Sequence, residues 1–222
     1  MSLIIFDCDG VLVDSEAIML REELIFLAAA GLEVSREQYL SRFMGLPLEV
    51  WRSTVRSDMI KAGRPSPDDD AFDALDDHIA NCLDSELTTV DGCKAAIEAL
   101  EAEVCVASSS SIDSLETKLR KTELWSLFAP HVFSTQLVKR GKPYPDLFLY
   151  AAQELRAKPA ECIVVEDSVN GVRAAKAAGM LTIGFTAGTH CSDDHGGALE
   201  TGGADQVVGS YGELLSALKA LT

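Results

Sequence analysis

Short, nearly unbroken apolar runs recur along the chain at Leu3–Phe6, 104–107, 163–165 and Leu181–Phe185, each followed by polar or turn-forming residues. Runs of this length without polar alternation belong to strands buried on both faces. Between them the apolar spacing lengthens to the helical period at 92–100, 112–122, 145–155, 169–178 and 213–221. Strands covered on both sides and alternating with helices predict an α/β fold built on a doubly wound parallel sheet of Rossmann-like type. Local signals agree. Ser168 can cap a helix entering at Val169, Gly179 can close it, and Pro145 suits a first helical turn.

The alternation breaks after the first strand. From residue 15 to 87 the pattern is helical throughout: 17–30 is amphipathic and ends at Gly31, Ser35 and Gln38 have capping-box spacing, and 72–83 keeps the helical period. The expected organisation is therefore a core made of residues 1–14 and 88–222, interrupted by an all-helical module at 15–87. Arg64-Pro65-Ser66-Pro67 reads as a loop and Asp68-Asp69-Asp70 as an acidic helix start.

Composition narrows the functional classes. The 222 residues are 47% hydrophobic and 24% charged, which is ordinary for a globular chain. A formal charge of −16 disfavours nucleic acid and anionic membrane as partners and requires a locally positive pocket for any anionic substrate. Six cysteines lack C-x-x-C or zinc-like spacing and fall mostly in apolar runs, as buried thiols of a reducing compartment would. No apolar stretch reaches the ~18 residues of a membrane span. A cytoplasmic, monomeric protein is expected.

Asp7-Cys8-Asp9-Gly10 follows the first apolar run directly, placing two carboxylates at the carboxyl edge of the sheet, where open α/β folds bind ligands. Alternation by two points both to one side. One acid could attack phosphorus while the other moves a proton. Alone, a D-x-D pair serves as readily as turn chemistry or a helix cap. Three further segments change the reading: Val106-Ala107-Ser108-Ser109, Gly141-Lys142-Pro143, and Val164-Val165-Glu166-Asp167-Ser168. Singly, Ser108 could end a strand, Lys142 could be a solvated loop lysine, and Glu166 and Asp167 could favour the start of a helix.

Together, in this order, the four segments resemble the haloacid dehalogenase superfamily, and the resemblance covers essentially the whole chain. It implies an aspartyl-phosphate chemistry in which Asp7 is the nucleophile and Asp9 the general acid and later base. It implies Ser108 and Lys142 as catalytic residues gripping the phosphoryl group, with Ser109 beside them. It also implies magnesium held by Asp7, the Asp9 backbone carbonyl and Asp167, with Glu166 helping directly or through water. The position of the helical module is similar to the branch that includes phosphoglycolate phosphatase, sugar-phosphate phosphatases and β-phosphoglucomutase. That makes 15–87 a helical cap and the protein a magnesium-dependent phosphatase for a small sugar phosphate or sugar-acid phosphate.

The alternatives are a β-phosphoglucomutase-like phosphomutase and a catalytically silent phosphometabolite-binding module. The cap positions that carry a mutase's histidine and arginine are occupied here by Met19 and Leu48, and the four motifs are intact. Both points favour hydrolysis.

Two features outside the motifs also draw a reading. Between Arg42 and Arg64 five basic residues meet only Glu49 and Asp58. Arg52 and Arg56 stand one helical turn apart, where like charges repel unless an anion relieves them. They are the candidate ligands for an acidic substrate, against the plainer reading of a solvated face. His190, Cys191, Asp194 and His195 have metal-binding chemistry but lie in a Gly-rich stretch without ligand spacing, and a solvated loop is the expectation. Trp51 and Trp125 are expected to be packing anchors.

Overall fold

A computed structural model describes residues 3–46 and 48–221. In chain order its elements are β1 (Leu3–Phe6), α1 (Ser15–Ala29), α2 (Arg36–Arg42), α3 (Leu48–Lys61), α4 (Asp69–Glu86), α5 (Cys93–Glu98), β2 (Glu103–Ser108) and α6 (Ile112–Lys121). There follow α7 (Trp125–Phe128), β3 (Val132–Ser134), α8 (Asp146–Glu154), β4 (Cys162–Glu166), α9 (Val169–Ala177), β5 (Leu181–Phe185), α10 (His195–Gly202), β6 (Gln206–Val208) and α11 (Tyr211–Leu221). Chain contacts divide into two compact units. One holds the described residues up to Asp14 and from Leu87 onward; the other is Ser15–Glu86.

The first unit is a six-stranded sheet, parallel throughout, in the order β3-β2-β1-β4-β5-β6. β1 is central and buried along its whole length, as its uninterrupted Leu-Ile-Ile-Phe requires. Phe6 pairs with Val106 of β2 on one side and with Val165 of β4 on the other. The residues just beyond these three strands therefore emerge at one edge, where the order reverses between β1 and β4. One face of the sheet packs Ile5, Cys105 and Val164 against Leu147 and Phe148 of α8 and Ala174 of α9. The strands β3 and β6 lie outside the four apolar runs expected from the sequence. Each has only three residues, at the sheet margins, too short for periodicity to register.

The helical unit has its own core. Trp51, Val55 and Met59 at intervals of four along α3 meet Phe72, Leu75 and Ile79 of α4, and burying each such side chain stabilises the unit by about 1.5–3 kcal/mol. Trp51 is a packing anchor, its indole N–H donating to the Tyr39 hydroxyl at 3.1 Å. The Ser35–Gln38 capping box forms, each side chain taking the other's backbone N–H.

Glu23 of α1 is buried in this unit, and burial, reinforced by Glu16 and Asp76, pushes its carboxyl up to about 8. A carboxyl raised on folding favours the folded state while protonated and loses that contribution as pH rises from the ordinary range through the raised value. Glu23→Gln should therefore raise Tm by several degrees at about pH 9, a gain that fades toward the ordinary glutamate range. Thermal melts of both proteins across this range check it, and a pH-independent difference would contradict it.

Candidate active site

The peptide after β1 keeps to the sheet for one more residue, the Asp7 N–H donating to Val165 O at 3.0 Å, and then turns. Leu12 and Val13 both donate to Cys8 O, at 2.9 and 3.1 Å, and Gly10 donates to Val13 O at 2.8 Å. Gly10 lies at φ +76°, and a Cβ there would stand 1.9 Å from Asp167 Oδ2, so both conformation and space demand glycine. The turn is tied down from outside: Tyr211 donates its hydroxyl to Val11 O at 2.8 Å, and Asp14 takes the N–H and hydroxyl of Thr189 at 3.0 and 2.5 Å. A loop fixed at this many points holds the two aspartates in place.

Lys142 comes from the connection between β3 and α8 and is buried between two acids. Its ammonium donates to Asp7 Oδ1 at 2.6 Å and to Glu166 Oε1. Glu166 is fully buried, and its other oxygen accepts from the backbone N–H and hydroxyl of Ser168 at 2.9 and 3.0 Å. The Glu166 carboxylate occupies space that only a glycine at 171 leaves open, since a Cβ there would lie 1.7 Å from Oε1. Asp167 faces the imidazole of His190, Oδ2 to Nε2 at 3.0 Å, while its backbone carbonyl meets His195 Nε2 at 2.5 Å. Ser108, at the end of β2, is buried, and its Oγ accepts the Ser110 N–H at 3.1 Å. Ser109 is exposed, its carbonyl accepting from the Thr135 hydroxyl at 3.1 Å.

The environment of Asp9 contains two residues that the motifs do not flag. Lys118 of α6 donates to Asp9 Oδ1 at 2.5 Å, and the Ser110 hydroxyl donates to Oδ2 at 2.7 Å. His190, which the sequence assigns to a solvated loop, also belongs to the site. It is only 2% exposed and contacts Asp167, which corrects the expectation of a solvated loop. The sequence does not pair any of these residues with its acid, because each lies far along the chain from the one it meets.

Four carboxylates, Asp7, Asp9, Glu166 and Asp167, thus gather around the ammoniums of Lys118 and Lys142, and negative charge is in excess. Burial pushes the Asp7 carboxyl well above the ordinary carboxylate range, Lys142 opposing and Glu166, Asp167 and Asp9 adding to the rise. Asp167 is raised in the same way, by burial and then by Glu166. Burial works to lower the Lys142 ammonium, but Asp7 and Glu166 hold it well above its usual value. Carboxylate oxygens of Asp7, Glu166 and Asp167 lie within 4.8 Å of one another. An all-oxygen set with uncompensated negative charge fits a hard divalent cation. Because both Glu166 oxygens already have donors, Asp7 and Asp167 are the better direct ligands.

Arg52 and Arg56 are placed in the helical unit, where the anions that relieve their repulsion come from the chain itself. Arg52 pairs with Asp73 and Asp76 at 3.0 and 2.5 Å, and Arg56 with Asp69 at 2.5 Å, all on α4. Both guanidiniums also stack near the Phe72 ring.

Comparison with known proteins gives the family. Residues 1–179 match the family model of the haloacid dehalogenase-like hydrolases. The chain is 30% identical over 192 residues to a 6-phosphogluconate phosphatase of Escherichia coli, covering 86% of this chain and 83% of that one. It is 31% identical over 185 residues to hexitol phosphatase B of Escherichia coli, covering 81% of each. Among solved structures, a haloacid dehalogenase-like protein of unknown function from Agrobacterium tumefaciens superposes with a TM-score of 0.91 at 36% identity, over 100% of this chain and 99% of that one. The chain belongs to the haloacid dehalogenase-like hydrolases and is a phosphoric monoester hydrolase.

Proposed function

We propose that this protein is a magnesium-dependent phosphatase that hydrolyses a small sugar phosphate or sugar-acid phosphate through an aspartyl-phosphate formed on Asp7. The observation that carries the reading is the buried Asp7 carboxylate at the end of the central strand, with the Lys142 ammonium 2.6 Å from one oxygen. An oxygen of Asp7 attacks phosphorus, and Asp9 gives a proton to the departing oxygen. In the second half-reaction Asp9 takes a proton from the water that attacks the aspartyl-phosphate. Lys142 and Ser108, with Ser109 beside them, meet the phosphoryl oxygens, supplying positioning and charge, which are most of what phosphoryl transfer requires. Asp7, the Asp9 carbonyl and Asp167 would hold magnesium, with Glu166 behind them. Bound there, the cation neutralises phosphoryl charge as it builds.

The substrate class rests on the relatives acting on 6-phosphogluconate and hexitol phosphates. Arg52 and Arg56 have no comparable support, because each guanidinium already pairs with carboxylates of α4.

The test is phosphate release from a panel of phosphorylated metabolites that includes 6-phosphogluconate, hexitol phosphates and hexose phosphates. Release should require magnesium, stop with EDTA, and be fastest for a sugar-derived ester. Absence of release from every phosphomonoester tried, with magnesium present, would overturn the phosphatase reading in favour of a binding module.

A further inference from the structure

Helix α6 ends in three basic residues, Lys118, Arg120 and Lys121, and they divide sharply. Arg120 and Lys121 are exposed, as lysine and arginine normally are. Lys118 is 7% exposed and turned inward on the face of Leu115 and Leu119. Taking an ammonium out of water is strongly unfavourable unless a carboxylate and further hydrogen bonds replace the lost solvation. Here the carboxylate is Asp9, 2.5 Å away, and the further bond is to the Ser110 hydroxyl at 3.1 Å. Ser110 in turn donates to the second oxygen of Asp9 at 2.7 Å. Lys118, Ser110 and Asp9 therefore form a closed triangle in which both oxygens of the acid have a donor.

We propose that Lys118, acting with Ser110, is the positioning residue for Asp9. It fixes the carboxyl group and stabilises the carboxylate formed when Asp9 gives its proton to the leaving oxygen. The inference rests on the reading of Asp9 as general acid. In the phosphorylation step the bond from Asp7 to phosphorus forms, the bond from phosphorus to the ester oxygen breaks, and the Asp9 proton passes to that oxygen. Lys118 transfers nothing and remains an ammonium throughout. Its contribution is a positive charge and a hydrogen bond already aimed at the place where negative charge appears, so no reorganisation is needed as the proton leaves. The benefit grows with the basicity of the leaving oxygen, because a leaving group that departs without a proton does not call on Asp9.

The experiment uses substituted phenyl phosphates, from 4-nitrophenyl to 4-methylphenyl, in single-turnover phosphorylation with enzyme and magnesium in excess. Asp9→Asn serves as the reference. Lys118→Met keeps the volume and removes the charge. Lys118→Met should slow the 4-methylphenyl ester by about tenfold or more and the 4-nitrophenyl ester by less than about threefold, a smaller version of the Asp9→Asn pattern. A role confined to packing would lower all esters alike. If Lys118→Met does not fold, as judged by circular dichroism and melting, Ser110→Ala takes its place with the same graded pattern expected. A graded loss in Asp9→Asn with a uniform loss, or none, in the Lys118 or Ser110 variant overturns this inference and leaves the acid role of Asp9 standing. A uniform loss in Asp9→Asn itself overturns that role and the inference with it.

Discussion

Asp7→Asn should abolish phosphate release, lowering kcat by on the order of 10⁴-fold or more, while making the metal-free protein more stable. The loss follows from chemistry: an amide has no anionic oxygen to attack phosphorus and is a weak ligand for a hard cation. The gain follows from burial, which holds the Asp7 carboxyl well above its ordinary range. For a carboxyl raised on folding, stability is fully present below the unfolded value and is lost as pH rises through the folded one. At neutral pH the native Asp7 is therefore on the unfavourable side, and a neutral amide of the same shape escapes the penalty. Magnesium should narrow the gap, since it binds the parent protein more tightly than the variant. Turnover assays and thermal melts with and without magnesium test both halves. Turnover within about tenfold of the parent would end the role of Asp7 as nucleophile.

The second large effect is expected at Lys142, with the opposite sign in stability. Lys142→Met removes an ammonium that touches both Asp7 and Glu166. Breaking a buried ion pair from one side typically costs 3–5 kcal/mol, about the whole margin of many domains, because the remaining charge stays buried without a partner. Glu166 is fully buried, so it cannot recover solvent contact without local unfolding. The variant should melt well below the parent in EDTA, recover part of the difference in magnesium, and lose activity by at least about a hundredfold even when folded. Lys142→Arg should restore little, since a planar fork does not fit a slot shaped for a point charge between two carboxylates. An unchanged Tm in EDTA would show that the Lys142 contacts contribute nothing to the fold.

The sequence was informative wherever one residue's surroundings are set by its neighbours along the chain. The long central strands announce themselves because β1 and β4 are buried end to end, and the expected helix at 169–178 differs from α9 by one residue at its end. The acids Asp7, Asp9, Glu166 and Asp167 are legible because strand ends place them and the family pattern names them. What escaped is set across the fold. Helical spacing sets Lys118 beside Leu115, but nothing in Ile112–Lys121 names the acid it meets, which is 109 positions away. Arg52 and Arg56 do fall on one helix, α3, but the anions beside them are Asp69, Asp73 and Asp76, which the linear pattern assigns to the acidic start and body of another helix. Likewise β3 and β6 exist because longer neighbours offer them an edge, and three residues carry no period of their own.

The place where the helical unit leaves and rejoins the sheet unit has a consequence of a different kind. Asp14 donates its N–H to Thr88 O at 3.0 Å, and Val13 pairs antiparallel with Thr89, so the chain departs and returns side by side. Seventy-two residues, Ser15–Glu86, are thus strung between two points that hydrogen bonding already joins. An inserted segment of this kind imposes no demand on the ladder that carries the acids. Its sequence can drift, lengthen or be exchanged through descent while Asp7, Lys142 and Asp167 keep their places.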